Sequence, residues 1–264
     1  MSRPSFRHKS NKDTRRRPPP EKNNGPKGRV VVGLHAVREL LKVRPQAITQ
    51  LWVREGYRSS VELLQLVEFA EKVRVRPTLQ SAAALDRITG SHQGVIAFAS
   101  AEPELNFQAL EKAKQSTLLV LDEVEDPHNL GAVLRTAWLF GAHGLLLPET
   151  RSASHSPAVS KVAQGAVEHV PIWQDSGLLE TLKRLKSQGF WLFGLSHKGE
   201  GSLYKTEIPE KVIWVLGSES SGIRKPIERE CDQLIKIPQV DPEASFNVSV
   251  AAAIALSETY RQRL

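Results

Sequence analysis

Thr117-Leu118-Leu119-Val120-Leu121 runs straight into Asp122-Glu123-Val124-Glu125-Asp126-Pro127-His128-Asn129-Leu130-Gly131-Ala132-Val133-Leu134-Arg135-Thr136-Ala137. The first five residues have the length and apolar continuity of a strand buried on both faces. Leu130, Val133, Leu134 and Ala137 then recur at helical spacing, and Asn129 is a residue type that caps a helix start. A helix begun there carries Arg135 about two turns in, close to the edge of the buried stripe. Buried strand, short loop and amphipathic helix make half of a βαβ unit.

Working outward, the unit repeats. Downstream, the pattern predicts strands at 144–147, 170–173, 190–195, 212–216 and 234–237, and helices at 129–140, 157–168, 177–187, 225–230 and 246–262. Strands separated by helices imply a mainly parallel sheet covered on both faces, with ligands bound beyond the carboxyl ends of its strands. Upstream, Leu34–Val43 and Val61–Val73 have helical spacing, Ile48–Val53 and Gly94–Ala99 are strand-like, and Val73–Leu79 reads as a further strand. Ser81 caps a short helix through Ala82–Leu85. The expected class is therefore α/β: a small N-terminal α/β domain over 29–100, a polar, helix-forming linker over 101–116, and a larger parallel domain over 117–264.

Residues 1–29 contain ten Lys or Arg and two acids, Asp13 and Glu21, a local charge of +8. The other 235 residues carry 26 basic and 27 acidic groups. With Met1 and Phe6 its only large apolar side chains, the segment 1–28 cannot bury enough surface to offset ordering, so a disordered basic arm is expected. A polyanion, nucleic acid first, is its natural partner; a solubilising tail is the alternative. Pro18-Pro19-Pro20 opposes an amphipathic transit helix. The chain shows neither a signal peptide nor an apolar run of membrane-spanning length, so no membrane partner and a cytoplasmic location are expected. Cys231 is the single cysteine, which excludes an internal disulfide and a multi-cysteine zinc site. No paired histidine spacing beside a carboxylate suggests a metal; His35, His128, His143, His155 and His197 read as turn or surface residues.

Two further strand ends stand out. Val212-Ile213-Trp214-Val215-Leu216 leads into Gly217-Ser218-Glu219-Ser220-Ser221-Gly222-Ile223-Arg224. The Gly-x4-Gly spacing resembles a phosphate loop, but Ile223-Arg224 replaces the required Lys-Ser/Thr, and no Gly-x-Ser-x-Gly elbow or complete dinucleotide fingerprint occurs. Ile237-Pro238-Gln239-Val240-Asp241-Pro242-Glu243-Ala244-Ser245-Phe246-Asn247 opens the last helix, with Ser245 or Asn247 as its cap and small residues at Ser249 and Ala251–Ala253 permitting close packing.

In this order and spacing the three segments resemble the SpoU family of RNA ribose 2′-O-methyltransferases, within the SPOUT superfamily. The pattern Asp-Pro-x-Asn-x-Gly with Arg, then Gly-x-Glu-x-x-Gly, then Ser-x-Asn-x-Ser-x-Ala, spans 117–264. Gly33-Leu34-His35-Ala36-Val37 and His92-Gln93-Gly94-Val95-Ile96 resemble the small RNA-binding domain that precedes it in many members. The likeness is greatest to the bacterial type that methylates a guanosine ribose of 23S rRNA. It implies a deep trefoil knot, S-adenosylmethionine as methyl donor, a homodimer and an rRNA substrate. By motif position it assigns Gly217, Ile237 and Phe246 to the cofactor, and Asn129, Arg135, Glu219, Ser245 and Asn247 to RNA and catalysis. Arg135 is then a proton acceptor, or a phosphate clamp that stabilises the developing alkoxide. Gln239-Val240-Asp241 replaces the family's usual Met-x-Gly, and Phe246 a common leucine. A tRNA ribose methyltransferase of the same family and a non-catalytic RNA-binding protein on the same fold are the alternatives.

Overall fold

The computed structural model describes residues 28–154, 156–241 and 244–264. The expected basic arm therefore lies outside the described residues except for Gly28, as do His155, Pro242 and Glu243. Two sheets organise the rest. The first is formed by β1 (Arg29–Val32), β2 (Ile48–Arg54), β3 (Pro77–Gln80) and β4 (Val95–Ala99), in the order β1-β4-β2-β3. β4 runs antiparallel to β1 and β2, whereas β2 and β3 are parallel. Helices α1 (Leu34–Val43) and α2 (Val61–Lys72) cover one face, burying Leu40, Leu41, Leu66 and Val67 against Leu51, Val53 and Ala97. Among the described residues the other face carries α3 (Ala82–Asp86), whose Leu85 packs on Ile96 and Phe98. Ser81 caps α3 by accepting from the Ala84 amide.

The chain then passes through α4 (Phe107–Lys112) into β5 (Ser116–Asp122), α5 (Pro127–Leu139), β6 (Gly144–Pro148), α6 (Pro157–Ala163), β7 (Ile172–Asp175), α7 (Leu178–Ser187), β8 (Trp191–Leu195), β9 (Gly201–Ser202), β10 (Lys211–Gly217), α8 (Lys225–Glu230), β11 (Gln233–Lys236) and α9 (Val248–Arg261). The seven strands lie in the order β7-β6-β5-β10-β8-β11-β9, every pairing parallel. The expected parallel sheet is thus present. β5 and β6 are buried from end to end and β10 along all but its terminal residues, as continuous apolar runs require when helices cover both faces. α5 and α9 pack on one face with Trp214, whose indole N–H donates to Thr259 at 2.9 Å. α7 and α8 pack on the other. Leu105 and Leu110, from the segment expected to be a linker, are buried in that second core.

A charged junction joins the sheets. Glu168, with its side chain 1% exposed, receives Arg29 at 2.5 Å and Arg44 at 3.4 Å. Beside it, His169 Nε2 and Glu39 Oε2 lie 2.8 Å apart, and the His169 ring stacks on Trp138. The Val32 amide donates to Ser160 Oγ.

Several expected boundaries move. α5 starts at Pro127, not Asn129, and its cap is Asp126, which accepts from the His128 amide at 3.0 Å. Proline is pre-set for a first helical position and its missing N–H costs nothing there, so Asp-Pro outcompetes Asn as the start. The helix expected over 157–168 ends at Ala163: Gln164 (φ 49°) and Gly165 (φ 93°) are left-handed, and a single 3₁₀ turn, Ala166–Glu168, follows. Arg74 (φ 65°) likewise turns the chain, so the strand expected from Val73 begins at Pro77. β7 lies at 172–175 instead of 170–173. α9 begins at Val248 because Asn247, not Ser245, caps it.

Candidate active site

β5 and β10 are neighbours in register, with Gly217 opposite Asp122, so the loops that leave them start side by side. Asp122 is fully buried. It accepts from the Arg224 amide at 2.8 Å and from Arg224 Nε at 2.7 Å, with the other guanidinium nitrogen at 2.6 Å. That hydrogen bonding raises the Arg224 guanidinium above its ordinary value. The 217–224 loop is therefore tied down at both ends. It closes tightly: a Cβ on Gly217 would lie 2.0 Å from the carbonyl carbon of Gly222, and Gly222 sits at φ +68°. Only glycine allows that approach. Ser218 Oγ accepts from the Ser221 amide inside the loop.

The loop projects Glu219 toward the first turn of α5 and the cap of α9. Asn247 Nδ2 donates to Glu219 Oε1 at 2.8 Å and to Asn129 Oδ1 at 2.9 Å, and Asn129 Nδ2 donates to Glu219 Oε1 at 3.3 Å. Asn247 Oδ1 is meanwhile occupied by the amide and hydroxyl of Ser249. Three residues from the three sequence segments thus form one hydrogen-bonded cluster. Both amide side chains are oriented by it, and the outer oxygen of Glu219 has no protein donor among the described residues.

Beside this cluster is a cavity of about 490 Å³, within the range of small-molecule and cofactor sites. Gly217, Ile237, Ser245 and Phe246 all line it, as do Leu195 and Leu216. Gln239 Nε2 donates to the carbonyls of Asp241 and Ala244, folding the loop after β11 around its rim. The residues assigned to cofactor by motif position therefore share one wall, and Asn129, Glu219 and Asn247 adjoin it.

Arg135 is not brought into the cluster. It lies six residues beyond Asn129, about 9 Å along the helix and roughly 240° around it. The side chain is exposed and, among the described residues, has no ion pair or hydrogen bond. Its outward neighbour Leu139 is 66% exposed.

Some site residues were not singled out in the sequence. Asp122 and Arg224 both fall within quoted motifs, yet their pairing spans 102 positions, which no local pattern shows. Ser196, His197 and Lys198 line the cavity after β8; the carboxyl-end rule for parallel strands points to that loop. Glu123 (φ 59°) and Arg151 (φ 56°) hold left-handed backbone beside the site and meet at 3.3 Å, a kind of local strain that concentrates at functional sites. Cys231 packs against the α7–α8 core, and burial pushes its thiol up to about 12.

Comparison with known proteins shows the family. Residues 116–257 match the SpoU rRNA Methylase family, and residues 30–105 match the family described as RNA 2'-O ribose methyltransferase substrate binding. The chain is 39% identical over 243 residues to the 23S rRNA (guanosine-2'-O-)-methyltransferase RlmB of Neisseria meningitidis serogroup B, spanning 89% of this chain and 96% of that one. A solved RNA 2'-O ribose methyltransferase aligns with TM-score 0.72 at 27% identity, covering 89% of this chain and 88% of its own. The SpoU methyltransferase AviRb from Streptomyces viridochromogenes, solved in complex with AdoMet, shares the fold with TM-score 0.75 at 20% identity over 89% and 90% of the two chains. With its strand-end motifs, its parallel sheet and a family match over more than half its length, this chain belongs to the SpoU rRNA methylase family.

Proposed function

We propose that the protein transfers a methyl group from S-adenosylmethionine to the 2′-hydroxyl of a guanosine ribose in 23S rRNA. The observation that carries this is the meeting of Asn129, Glu219 and Asn247 at the edge of a cofactor-sized cavity, in a chain 39% identical to RlmB. The residues present fit the cofactor. Leu216, Ile237 and Phe246 give an apolar wall for a purine nucleoside, and the glycine-built 217–222 loop brings backbone donors and acceptors close. Gly217, Ile237 and Phe246 would hold it, with Ser245 beside them. When bound, S-adenosylmethionine supplies an electrophilic sulfonium methyl. Among the described residues no cluster of His, Cys, Asp or Glu could hold a metal, and we expect no metal requirement; lost binding on chelation, read by calorimetry, would overturn that expectation.

The chain's own residues must align the 2′-hydroxyl and help remove its proton. Glu219, held through one oxygen by both amides, keeps its other oxygen for a ribose hydroxyl. Asn129 and Asn247 position it. Arg135, normally always charged, clamps an RNA phosphate and stabilises the developing alkoxide, or takes up the hydroxyl proton only after giving a proton of its own to that phosphate. Because Arg135 faces outward on α5, we infer that a second copy completes the site. The same face carries an apolar groove of about 580 Å³ between α5 and α9, with Leu139, Val250 and Tyr260 exposed around it. We divide the chain into an arm at 1–28, a substrate RNA-binding domain at 29–100, a linker at 101–116 and a SPOUT methyltransferase domain at 117–264. We place the family's knot in the last of these, where α9 returns to pack on α5. An rRNA substrate fits a cytoplasmic location; among the described residues no helix is long and apolar enough to cross a membrane.

The test is methyl transfer to unmodified 23S rRNA and tRNA transcripts, with 2′-O-methyl positions mapped by resistance to alkaline cleavage. A single protected guanosine in 23S rRNA is expected. Transfer to tRNA alone would favour the tRNA alternative, and no transfer to either would favour a non-catalytic RNA-binding protein.

A further inference from the structure

On the side of the N-terminal sheet that meets the parallel sheet, cations are paired: Arg29 and Arg44 with Glu168, and Lys42 with Glu39. At the opposite edge the pairing stops. Among the described residues β3 hydrogen-bonds only to β2 within this sheet, which leaves its outer edge open there. Strand alternation and the register Trp52↔Thr78 and Arg54↔Gln80 put Trp52, Arg54, Thr78 and Gln80 on the face away from α1 and α2. Arg76, two residues before Thr78, extends that face, and Arg87 stands just beyond α3, which packs on it. Among the described residues, the guanidinium groups of Arg54, Arg76 and Arg87 make no ion pair or hydrogen bond. Arg76 and Arg87 are exposed, and Arg54 is half-buried. Asp86, the carboxylate of α3, is engaged by His92 at 3.1 Å. Trp52 lies between Arg54 and Arg76 and is half-buried against Phe98.

We propose that this outer face, Trp52 with Arg54, Arg76 and Arg87, is the surface on which the N-terminal sheet grips substrate RNA. The inference rests on the function proposed above and names where its substrate is held. An aromatic side chain flanked by unneutralised arginines, with hydroxyl and amide side chains between them, suits unpaired nucleotides: bases stack on the ring while phosphates meet guanidinium groups. The open edge of β3 leaves room for the strand, and the face lies on the side of the sheet remote from the α6 junction.

The experiment uses the full chain and an unmodified 23S rRNA transcript, comparing wild type with Arg54→Gln/Arg76→Gln and with Arg54→Lys/Arg76→Lys. Each single-strand phosphate contact contributes roughly 0.7 to the slope of log K against log salt. The Gln pair is therefore expected to weaken RNA affinity about tenfold near physiological salt and to flatten the slope by roughly 1.4. S-adenosylmethionine affinity and the denaturant midpoint should stay at wild-type values, which shows that the variant is folded. The Lys pair should retain most of the slope. If the Gln pair binds RNA with wild-type affinity and slope while wild type methylates the transcript, the surface assignment is wrong and the proposed function stands. If wild type neither binds nor methylates the transcript, the function itself has failed.

Discussion

Replacing Arg135 with Ala removes a guanidinium that, among the described residues, no carboxylate neutralises. A general acid–base group contributes about 10²–10⁴-fold and a charge-stabilising donor about 10²–10³-fold. Single-turnover methylation on saturating RNA is therefore expected to fall at least ~100-fold, with S-adenosylmethionine affinity little changed. Arg135→Lys keeps the charge but loses the planar fork. Rescue by Lys indicates simple electrostatic stabilisation, and no rescue indicates bidentate phosphate binding or the proton role. A near-normal rate for Arg135→Ala would leave Glu219 as the leading catalytic residue. Asp122→Asn is a second test, because it leaves the Arg224 guanidinium without its buried counter-charge. Breaking such a pair costs about 3–5 kcal/mol when fully buried; Arg224 is 38% exposed, so about 2 kcal/mol is expected from denaturant unfolding, together with weaker S-adenosylmethionine binding. The family resemblance assigned Asn129, Glu219 and Asn247, and the fold brings the three side chains together. The resemblance was not enough to show that Asp122 fastens their loop, because that contact depends on two strands lying in register.

Among the elements, strands and helices of the parallel unit were legible because buried parallel strands are unbroken apolar runs. Their ends were less so. Asp126 and Asn129 are both good caps, and the proline between them decides; Asn129 then serves Glu219. The break after α6 was invisible because it answers a tertiary demand. A Cβ on Gly165 would lie 2.6 Å from the Glu39 Cβ, in a left-handed conformation that only glycine adopts freely. Gly165→Ala should therefore cost about 1–3 kcal/mol, measured as a lower denaturant midpoint. Asp175, at the end of β7, offers a pH test. The Thr181 hydroxyl first, and then the Gly177 amide, hold its carboxyl below the ordinary range. A carboxylate lowered in the folded state adds stability at neutral pH that is lost as pH falls through its folded value. Asp175→Ala should melt below wild type at pH 7, by about 1 kcal/mol as for a lost helix cap, and the gap should narrow toward pH 3.

For the molecule as a whole, deleting residues 1–28 tests the arm. If about half of its basic residues meet phosphates, the slope of log K against log salt should flatten by roughly 4, while the single-turnover rate on saturating RNA stays the same. An unchanged slope would make the segment a solubilising tail. Sedimentation at micromolar concentration should give a particle of twice 29.3 kDa; a fully active monomer would refute completion of the site by a second copy. The junction at Glu168 has a consequence for target choice. Glu168 receives two arginines from the N-terminal unit, so rotating one sheet against the other would strand a buried carboxylate. The two sheets should then tumble as one body, with a single rotational correlation time from backbone amide relaxation in both. A grip on β3 fixed rigidly to a reaction centre at Glu219 behaves as a caliper. It selects a nucleotide by its distance from the gripped segment, so inserting one base pair between them in the transcript should abolish methylation of the natural target.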